Sequence, residues 1–327
     1  HFSLSDLLAV RKIALPGAIA QIIVATLLGA SIAMTWEWNL GASIVFGLAL
    51  SVASTVVLIR ALEQRGLMKS INGRIAVGWL IVEDLVVVLA LVLLPPLAGW
   101  LGGQGDDSST SNNITDLLIV LAITFVKVSI FIGFMLIVGK RLFPWLLWHV
   151  ASTKSNELFI LCVIAVAVGI AYGAAKLFDV SFALGAFFSG MVMRESSLSH
   201  RAAQESLPLR DAFSVLFFVS VGMLFDPNIL IEEPLHVLIV VAIILFGKSL
   251  AAFILVLAFR YPLNTALTVS VSLSQIGELS FILASLGVSL ELLPLEGYSL
   301  ILAGAFISIT LNHLVFETVE PIQNWIR

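Results

Sequence analysis

Long runs of apolar residues, separated by short polar stretches, recur along the whole chain. A helix that crosses a bilayer needs about 20 mostly apolar residues, and most of these runs reach that length, while two of them are shorter. The predicted spans are residues 13–34, 40–61, 74–98, 117–139, 156–175, 180–194, 212–226, 235–259, 263–288 and 298–319. The pattern predicts an all-α polytopic membrane protein with about ten transmembrane segments.

The composition supports this class and argues against several others. Hydrophobic residues make up 60% of the chain and charged residues 12%, whereas soluble domains have about 45–50% and about 25%. The single cysteine, Cys162, excludes a disulfide framework and a cysteine metal site. Phosphate-binding loops, zinc-protease motifs and serine-hydrolase motifs are not found in the sequence, and no basic patch suggests nucleic acid. We therefore expect a protein that is not an enzyme, with no cofactor and no nucleic-acid partner.

Basic residues orient the spans, because short cytoplasmic loops of membrane proteins are enriched in Lys and Arg. With a cytoplasmic N-terminus and alternating spans, fourteen of the 17 basic residues fall on the cytoplasmic side. They are Arg11, Lys12, Arg60, Arg65, Lys69, Arg74, Lys140, Arg141, Lys154, Arg194, Arg201, Arg210, Arg260 and Arg327. The outer loops are acidic, with Lys176 as their basic residue. Both ends of the chain are predicted to be cytoplasmic.

Two loops are long enough to interpret. Residues 99–113 are rich in Gly, Ser and Asp and predict an external connector. Residues 194–211 carry mixed charge and could form a short surface helix on the cytoplasmic side. We interpret them as a linker between two halves and not as a functional site.

A weak internal symmetry relates two predicted spans. Residues 50–59 read LSVASTVVLI and residues 273–282 read LSQIGELSFI, so both place Ser or Gly in the middle of an apolar run. By the topology above, the two spans run in opposite directions, and each is the middle span of a triplet. Polar interruptions at matching positions of two inverted halves point to a transporter site built from broken helices. The inverted repeat pairs 13–34, 40–61 and 74–98 with 235–259, 263–288 and 298–319.

This symmetry sets the expected domain organisation. Residues 1–327 form one membrane transport domain, with the core triplets at 13–98 and 235–319 and the remaining scaffold or dimerisation helices and linker at 117–226. Two spans precede the second triplet, whereas only residues 1–12 precede the first. We expect about two further helices upstream and a chain that is a fragment.

Two adjacent acids, Glu83 and Asp84, lie in the middle of the predicted span 74–98. An ionised group at the bilayer centre costs roughly 2.5–3.5 kcal/mol on translocon scales, and such groups usually mark ion or proton pathways. A dehydrated carboxylate pair resists double ionisation, so one proton is retained. An arriving monovalent cation favours the ionised form and expels that proton, which suffices for cation/proton exchange. The structural alternative is an ion pair or a protonated carboxyl bonded to the backbone.

Further polar residues lie within the apolar spans. Lys248 is a candidate counter-charge for Asp84, or it reaches a carbonyl or a headgroup. Glu278 either faces an ion path or satisfies backbone donors at the interruption. Hydroxyl and amide groups near the interruptions either replace hydration water or bond neighbouring carbonyls. These lining residues are Ser54, Thr55 and Gln275.

Four segments together resemble the Kef-type branch of the monovalent cation:proton antiporter-2 family. They are FGLALSVASTVVLIRALEQRGLMKSINGRIAVGWLIVEDL, FALGAFFSGMVM, FSVLFFVSVGMLFDP and SLSQIGELSFIL. The resemblance covers nearly the whole chain. It implies the sodium/proton-antiporter fold, in which a core with two crossing broken helices moves like an elevator against a dimerisation domain.

The resemblance also implies site residues and partners. The family's ion-binding aspartate maps to Asp84, its core lysine to Lys248, and its crossing helices to 40–61 and 263–288. Glu83 stands where many relatives carry Asp, Asn or Gln, which leaves the proton count open. The implied protein exchanges K⁺ or Na⁺ for H⁺ in a bacterial inner membrane, as a homodimer in the lipid bilayer with a cytosolic nucleotide-binding regulatory domain downstream.

Two rival functions stay open at this point. A gated K⁺ channel would need a continuous pore and no obligatory proton coupling. A membrane sensor or scaffold for a cytosolic domain would need no ion movement at all. The residues alone do not decide between K⁺ and Na⁺.

Overall fold

The computed structural model describes residues 4–103, 114–178, 180–194, 196–319, 321 and 323, and these residues are helical with short connections. The helices are α1 (Leu4–Thr35), α2 (Leu40–Ser51), α3 (Thr55–Gln64), α4 (Ile71–Leu97), α5 (Ile114–Phe134), α6 (Lys140–Ala151), α7 (Asn156–Leu177), α8 (Phe182–Arg194), α9 (Ser199–Met223), α10 (Ile229–Glu232), α11 (Pro234–Ala242), α12 (Lys248–Ala258), α13 (Leu263–Ser272), α14 (Glu278–Ser289) and α15 (Leu295–Glu317). One turn of π-helix joins α5 to α6 at Met135–Gly139, and another joins α11 to α12 at Ile243–Gly247.

Eight helical segments within the described residues are long and apolar enough to cross a bilayer. They are Ala9–Thr35, Leu40–Gln64, Ile71–Leu97, Leu117–Ala151, Asn156–Leu177, Ser199–Met223, Pro234–Ala258 and Leu295–Glu317. Two shorter apolar helices, Leu184–Met193 and Glu278–Ser289, accompany them. The chain is thus a multi-pass, all-helical membrane protein, while the ten-span topology stays a prediction.

Two predicted spans are interrupted in the structure. Residues 52–54 separate α2 from α3, and residues 273–277 separate α13 from α14. Both interruptions fall on the Ser- and Gly-containing patches of the sequence, because hydroxyl and amide side chains there can bond the backbone groups that a broken helix frees.

The larger part of residues 194–211 is helical, because α9 begins at Ser199. This stretch is rich in Ala, Gln, Glu, Leu and Arg, which are good helix formers, and Arg201 Nε lies 2.7 Å from Glu205 Oε1 one turn later. The segment from Ser199 and the predicted span that follows it form one helix of 25 residues. Most of the predicted external loop 99–113, together with both chain ends, lies outside the described residues.

The chain divides into two compact units. The first comprises the described residues of 1–87, 98–105 and 224–327. Its apolar core includes Ile13, Leu62, Trp79, Val256 and Val269, from five different helices. Close helix packing contributes to this unit, since a Cβ at Gly47 of α2 would lie 2.2 Å from the carbonyl oxygen of Thr26 in α1.

The second unit comprises residues 88–97 and the described residues of 106–223. Phe131, Ile170, Leu184 and Phe188 belong to its core, and α5 and α9 leave many large apolar side chains exposed. Extensive exposed apolar surface of this kind is typical of helices that contact lipid. Both helix interruptions and all the predicted site residues belong to the first unit.

Candidate ion-binding site

The first interruption begins where α2 ends at Ser51. The carbonyl of Ser51 accepts a hydrogen bond from Gln21 Nε2 of α1 at 3.1 Å, and Gln21 Oε1 accepts from Trp79 Nε1 at 3.3 Å. On the other side, Ser54 caps α3, because its Oγ accepts from the Val57 amide at 3.3 Å. A cap of this kind satisfies one of the amides that the start of a helix leaves free. The non-helical segment is therefore held at both ends.

The second interruption is stabilised from α15 and α12. Asn312 Nδ2 donates to the Val271 carbonyl at 3.2 Å and to Ser274 Oγ at 3.1 Å. Lys248 Nζ donates to the Gln275 carbonyl at 3.0 Å. The lysine directly follows the π-helical turn Ile243–Gly247, and such turns occur often at functional sites.

The two interruptions contact each other through Gln275. Its Oε1 accepts from the Ser54 amide at 2.8 Å, and its Nε2 donates to the Ser54 carbonyl at 3.1 Å. Gly277 permits this approach, since a Cβ there would lie 2.5 Å from Ser54 Cα. Ser280 Oγ also donates to the Val52 carbonyl at 3.4 Å. The side-chain amide of Gln275 thus bonds both the N–H and the C=O of Ser54, which lies outside the helices.

Three carboxylates lie at the first interruption, and each accepts a hydrogen bond from one of three consecutive residues. The Ala53 amide donates to Glu83 Oε2 at 2.8 Å, Ser54 Oγ donates to Glu278 Oε2 at 3.2 Å, and Thr55 Oγ1 donates to Asp84 Oδ2 at 3.2 Å. The contacts bring the acids of α4 and α14 to the N-terminal end of α3, where the helix dipole favours negative charge.

The acids differ in burial and in the partners of their second oxygens. Glu83 is fully buried, whereas Asp84 and Glu278 are half-buried. Glu83 Oε1 and Asp84 Oδ1 are buried and have no hydrogen-bond partner among the described residues. A buried carboxylate oxygen without a partner carries a large desolvation cost. Each of these two oxygens could accept a proton or coordinate a cation.

Lys248 contacts the backbone of the second interruption. The lysine is fully buried, and its Nζ donates to the Gln275 carbonyl at 3.0 Å. Within the part of the chain that the structure describes, no ion pair joins Lys248 to Glu83 or to Asp84. The structure therefore shows the carbonyl contact that the sequence offered as one alternative, and the role of Lys248 as counter-charge for Asp84 stays a prediction.

Sequence reasoning missed two residues of this site, Gln21 and Asn312. Each is a buried amide side chain in an otherwise apolar helix, and each bonds a carbonyl at the end of a half-helix. The sequence signal for both is an Asn or Gln inside an apolar run, in addition to the charged residues.

One known protein family matches nearly the whole chain. The family model described as "Sodium/hydrogen exchanger, transmembrane" matches residues 1–319. The chain belongs to the sodium/hydrogen exchanger family. The resemblance to Kef-type cation/proton antiporters inferred from the sequence is confirmed by this match and by the relatives.

Members of the sodium/hydrogen exchanger family with named activities are among the similar proteins. YbaL of Escherichia coli (strain K12), named as a cation/proton antiporter, is 61% identical over 320 residues, covering 98% of this chain and 56% of the relative. K(+) efflux antiporter 4 of Arabidopsis thaliana is 30% identical over 324 residues, covering 98% and 53%. K(+) efflux antiporter 6 of the same plant is 28% identical over 324 residues, covering 98% and 52%. The chain spans about half the length of these curated relatives.

Proposed function

We propose that this chain carries the transport site of a secondary antiporter, which exchanges a monovalent cation, K⁺ or Na⁺, for H⁺ by alternating access. The observation that carries the proposal is the set of three carboxylates held by Ala53, Ser54 and Thr55, with one buried lysine beside them. Charge of this kind inside a membrane domain is expensive and usually functional.

Asp84 is the proposed site of competition between the two ions. Its Oδ2 accepts from Thr55, and its buried Oδ1 has no partner among the described residues. A proton on this carboxyl removes the repulsion from Glu83 and Glu278, and a monovalent cation would offset the same repulsion. Because a proton and a cation offset the same repulsion at the same carboxyl, binding of one weakens binding of the other and releases it.

Glu83 and Lys248 are assigned supporting roles in this proposal. Glu83 holds the first interruption through the Ala53 amide and tunes the charge next to Asp84. Lys248 supplies the counter-charge that keeps the adjacent acids from repelling each other fully. Ser54, Thr55, Gln275 and Glu278 line the site.

The finer architecture belongs to the same proposal. Two interrupted helices in one unit support the sodium/proton-antiporter fold with inverted repeats, ten spans and elevator-like movement. The proposal also includes a bacterial inner-membrane location with cytoplasmic chain ends, a homodimer, and a cytosolic nucleotide-binding regulatory domain as partner, as the resemblance to Kef-type antiporters implies. Within this chain we propose no cofactor other than the exchanged ions.

Proton movement in proteoliposomes tests the function. Purified protein is reconstituted with a pH-sensitive dye inside the vesicles, and K⁺ or Na⁺ is added outside. We expect one of the cations to drive proton movement in the wild type, and Asp84→Asn to reduce it to the level of empty vesicles. Asp211→Asn is the matched control, because Asp211 is exposed in α9 and pairs with Arg210 at 2.8 Å.

Three outcomes would contradict the proposal. Proton movement that persists unchanged in Asp84→Asn would remove Asp84 from the mechanism. Cation flux without proton movement would indicate a channel, and the loss of both fluxes in the wild type would favour a sensor or scaffold.

A further inference from the structure

The side chain of Glu278 has a contact that its position in the helix does not require. Glu278 is the first residue of α14, where an acid is commonly explained by the helix dipole. No side chain caps this helix at Gly277, and the structure shows no backbone amide donating to Glu278 within the described residues. Its Oε2 instead accepts from Ser54 Oγ across the interruption at 3.2 Å. The carboxylate is therefore directed to the residue next to Thr55.

Glu278 and Asp84 lie on the same short segment of α3 and its cap. Ser54 holds the first and Thr55 holds the second, each at 3.2 Å. Both carboxylates therefore lie within hydrogen-bond distance of the same two consecutive residues. The two half-buried carboxylates are thus neighbours that two adjacent hydroxyl groups position.

Among the described residues, no ion pair involves either Asp84 or Glu278. Lys248 Nζ donates to the Gln275 carbonyl. Two like charges in a membrane domain repel strongly unless a proton or a cation lies between them. Hard monovalent cations prefer oxygen ligands, and two carboxylates with two hydroxyl groups supply them.

We infer that Glu278 is a second carboxylate ligand of the transported cation, next to Asp84, and that Ser54 positions it. This inference rests on the proposed function and deepens it by adding a residue that sets cation affinity. Glu83 then belongs with Lys248, and the cation belongs with the other two acids.

The test compares Glu278→Gln with Glu278→Asp in full-length protein, with KCl and NaCl as the probes. Two quantities are measured: the cation concentration for half-maximal proton exchange, and the rise in melting temperature of the purified protein with cation concentration. Glu278→Gln removes one negative ligand of the cation, so the half-saturating concentration should rise by about tenfold or more. The cation-dependent stabilisation should shift to the same higher concentrations.

Glu278→Asp separates a ligand from a merely structural acid. Aspartate keeps the negative charge at the start of α14, so a helix-dipole role would leave the half-saturating concentration unchanged. A ligand role predicts an increase, because the shorter side chain withdraws the carboxylate from Ser54. Glu278→Asp also keeps the negative charge at this position, so the inference can still be tested if Glu278→Gln folds poorly. Glu296→Gln is the matched control, since Glu296 lies in the first turn of α15 and is half-exposed.

The inference is overturned if both Glu278 variants keep the wild-type half-saturating concentration and the wild-type cation-dependent stabilisation, even with a lower melting temperature. Loss of exchange in Asp84→Asn together with this result would leave the proposed function intact and remove only Glu278. Exchange that persists in Asp84→Asn would instead overturn the proposed function itself.

Discussion

The two helix interruptions of the first unit bond charged side chains of opposite sign. The first, at residues 52–54, presents donors: the amide of Ala53 and, at its border, the hydroxyls of Ser54 and Thr55 bond carboxylates. The second, at residues 273–277, presents acceptors: its carbonyl at Gln275 receives Lys248. The donor side faces the acids of the site, and the acceptor side faces the lysine.

This difference separates the part of the site that handles ions from the part that holds it together. A carboxylate can exchange a proton for a cation without leaving its donor. A carbonyl bonded by a buried ammonium is fixed for as long as that charge persists. We therefore expect variants at the second interruption to affect mainly stability, and variants of the acids to affect mainly exchange.

The largest effect on stability is expected for Lys248→Met. The substitution leaves the Gln275 carbonyl without its donor and Glu83 without its counter-charge. A hydrogen bond to a charged group contributes about 1.5–3 kcal/mol, and the buried acids lose a compensating charge as well. Chemical denaturation in detergent micelles measures this change in the free energy of unfolding.

A double-mutant comparison identifies the acid to which Lys248 is coupled. Adding Glu83→Gln to Lys248→Met should recover part of the loss, because the orphaned charge is removed. Adding Asp84→Asn should recover less. Equal recovery with both acids, or a larger one with Asp84→Asn, would favour the sequence-based pairing of Lys248 with Asp84.

The next largest effect is expected for Gly277→Ala, which acts on the contact between the interruptions. The new Cβ would lie 2.5 Å from Ser54 Cα and 3.0 Å from Ser54 N, so backbone atoms must move apart. Overpacking costs about 1–3 kcal/mol, and we expect the upper end because no flexible side chain can yield. The hydrogen bonds of Gln275 to Ser54 should weaken, and exchange should fall with stability.

Gly190→Ala is the matched control for this substitution. A Cβ at Gly190 of α8 meets nothing within 4 Å, and alanine is favoured over glycine inside helices by roughly 0.5–1 kcal/mol. Its melting temperature should stay the same or rise. A similar loss in both variants would show that the close approach at Gly277 does not explain the effect.

Much of this site could be predicted from the sequence, but not the pairing within it. Charges and polar patches inside apolar runs identify Glu83, Asp84, Lys248 and both interruptions, because such residues are costly in a membrane. Adjacent residues on a helix point about 100° apart, so tertiary packing decides that Glu83 accepts from the Ala53 amide and Asp84 from the Thr55 hydroxyl. Sequence spacing carries no information on that rotation.

The smallest effects compare the amides that hold the two half-helix ends. Gln21→Leu leaves the Ser51 carbonyl with no other donor among the described residues and deprives Trp79 of its acceptor. Asn312→Leu leaves the Val271 carbonyl with two other donors, the amide and the hydroxyl of Ser274 at 3.2 and 2.7 Å. An orphaned buried group costs about 1–3 kcal/mol.

We therefore expect Gln21→Leu to lower the free energy of unfolding by about 2 kcal/mol and Asn312→Leu by about 1 kcal/mol or less. Denaturation of both variants in the same detergent measures the difference. A larger loss in Asn312→Leu would mean that the second interruption depends on α15 more than on its own serine, and that the two half-helix ends are not held as their hydrogen bonds indicate.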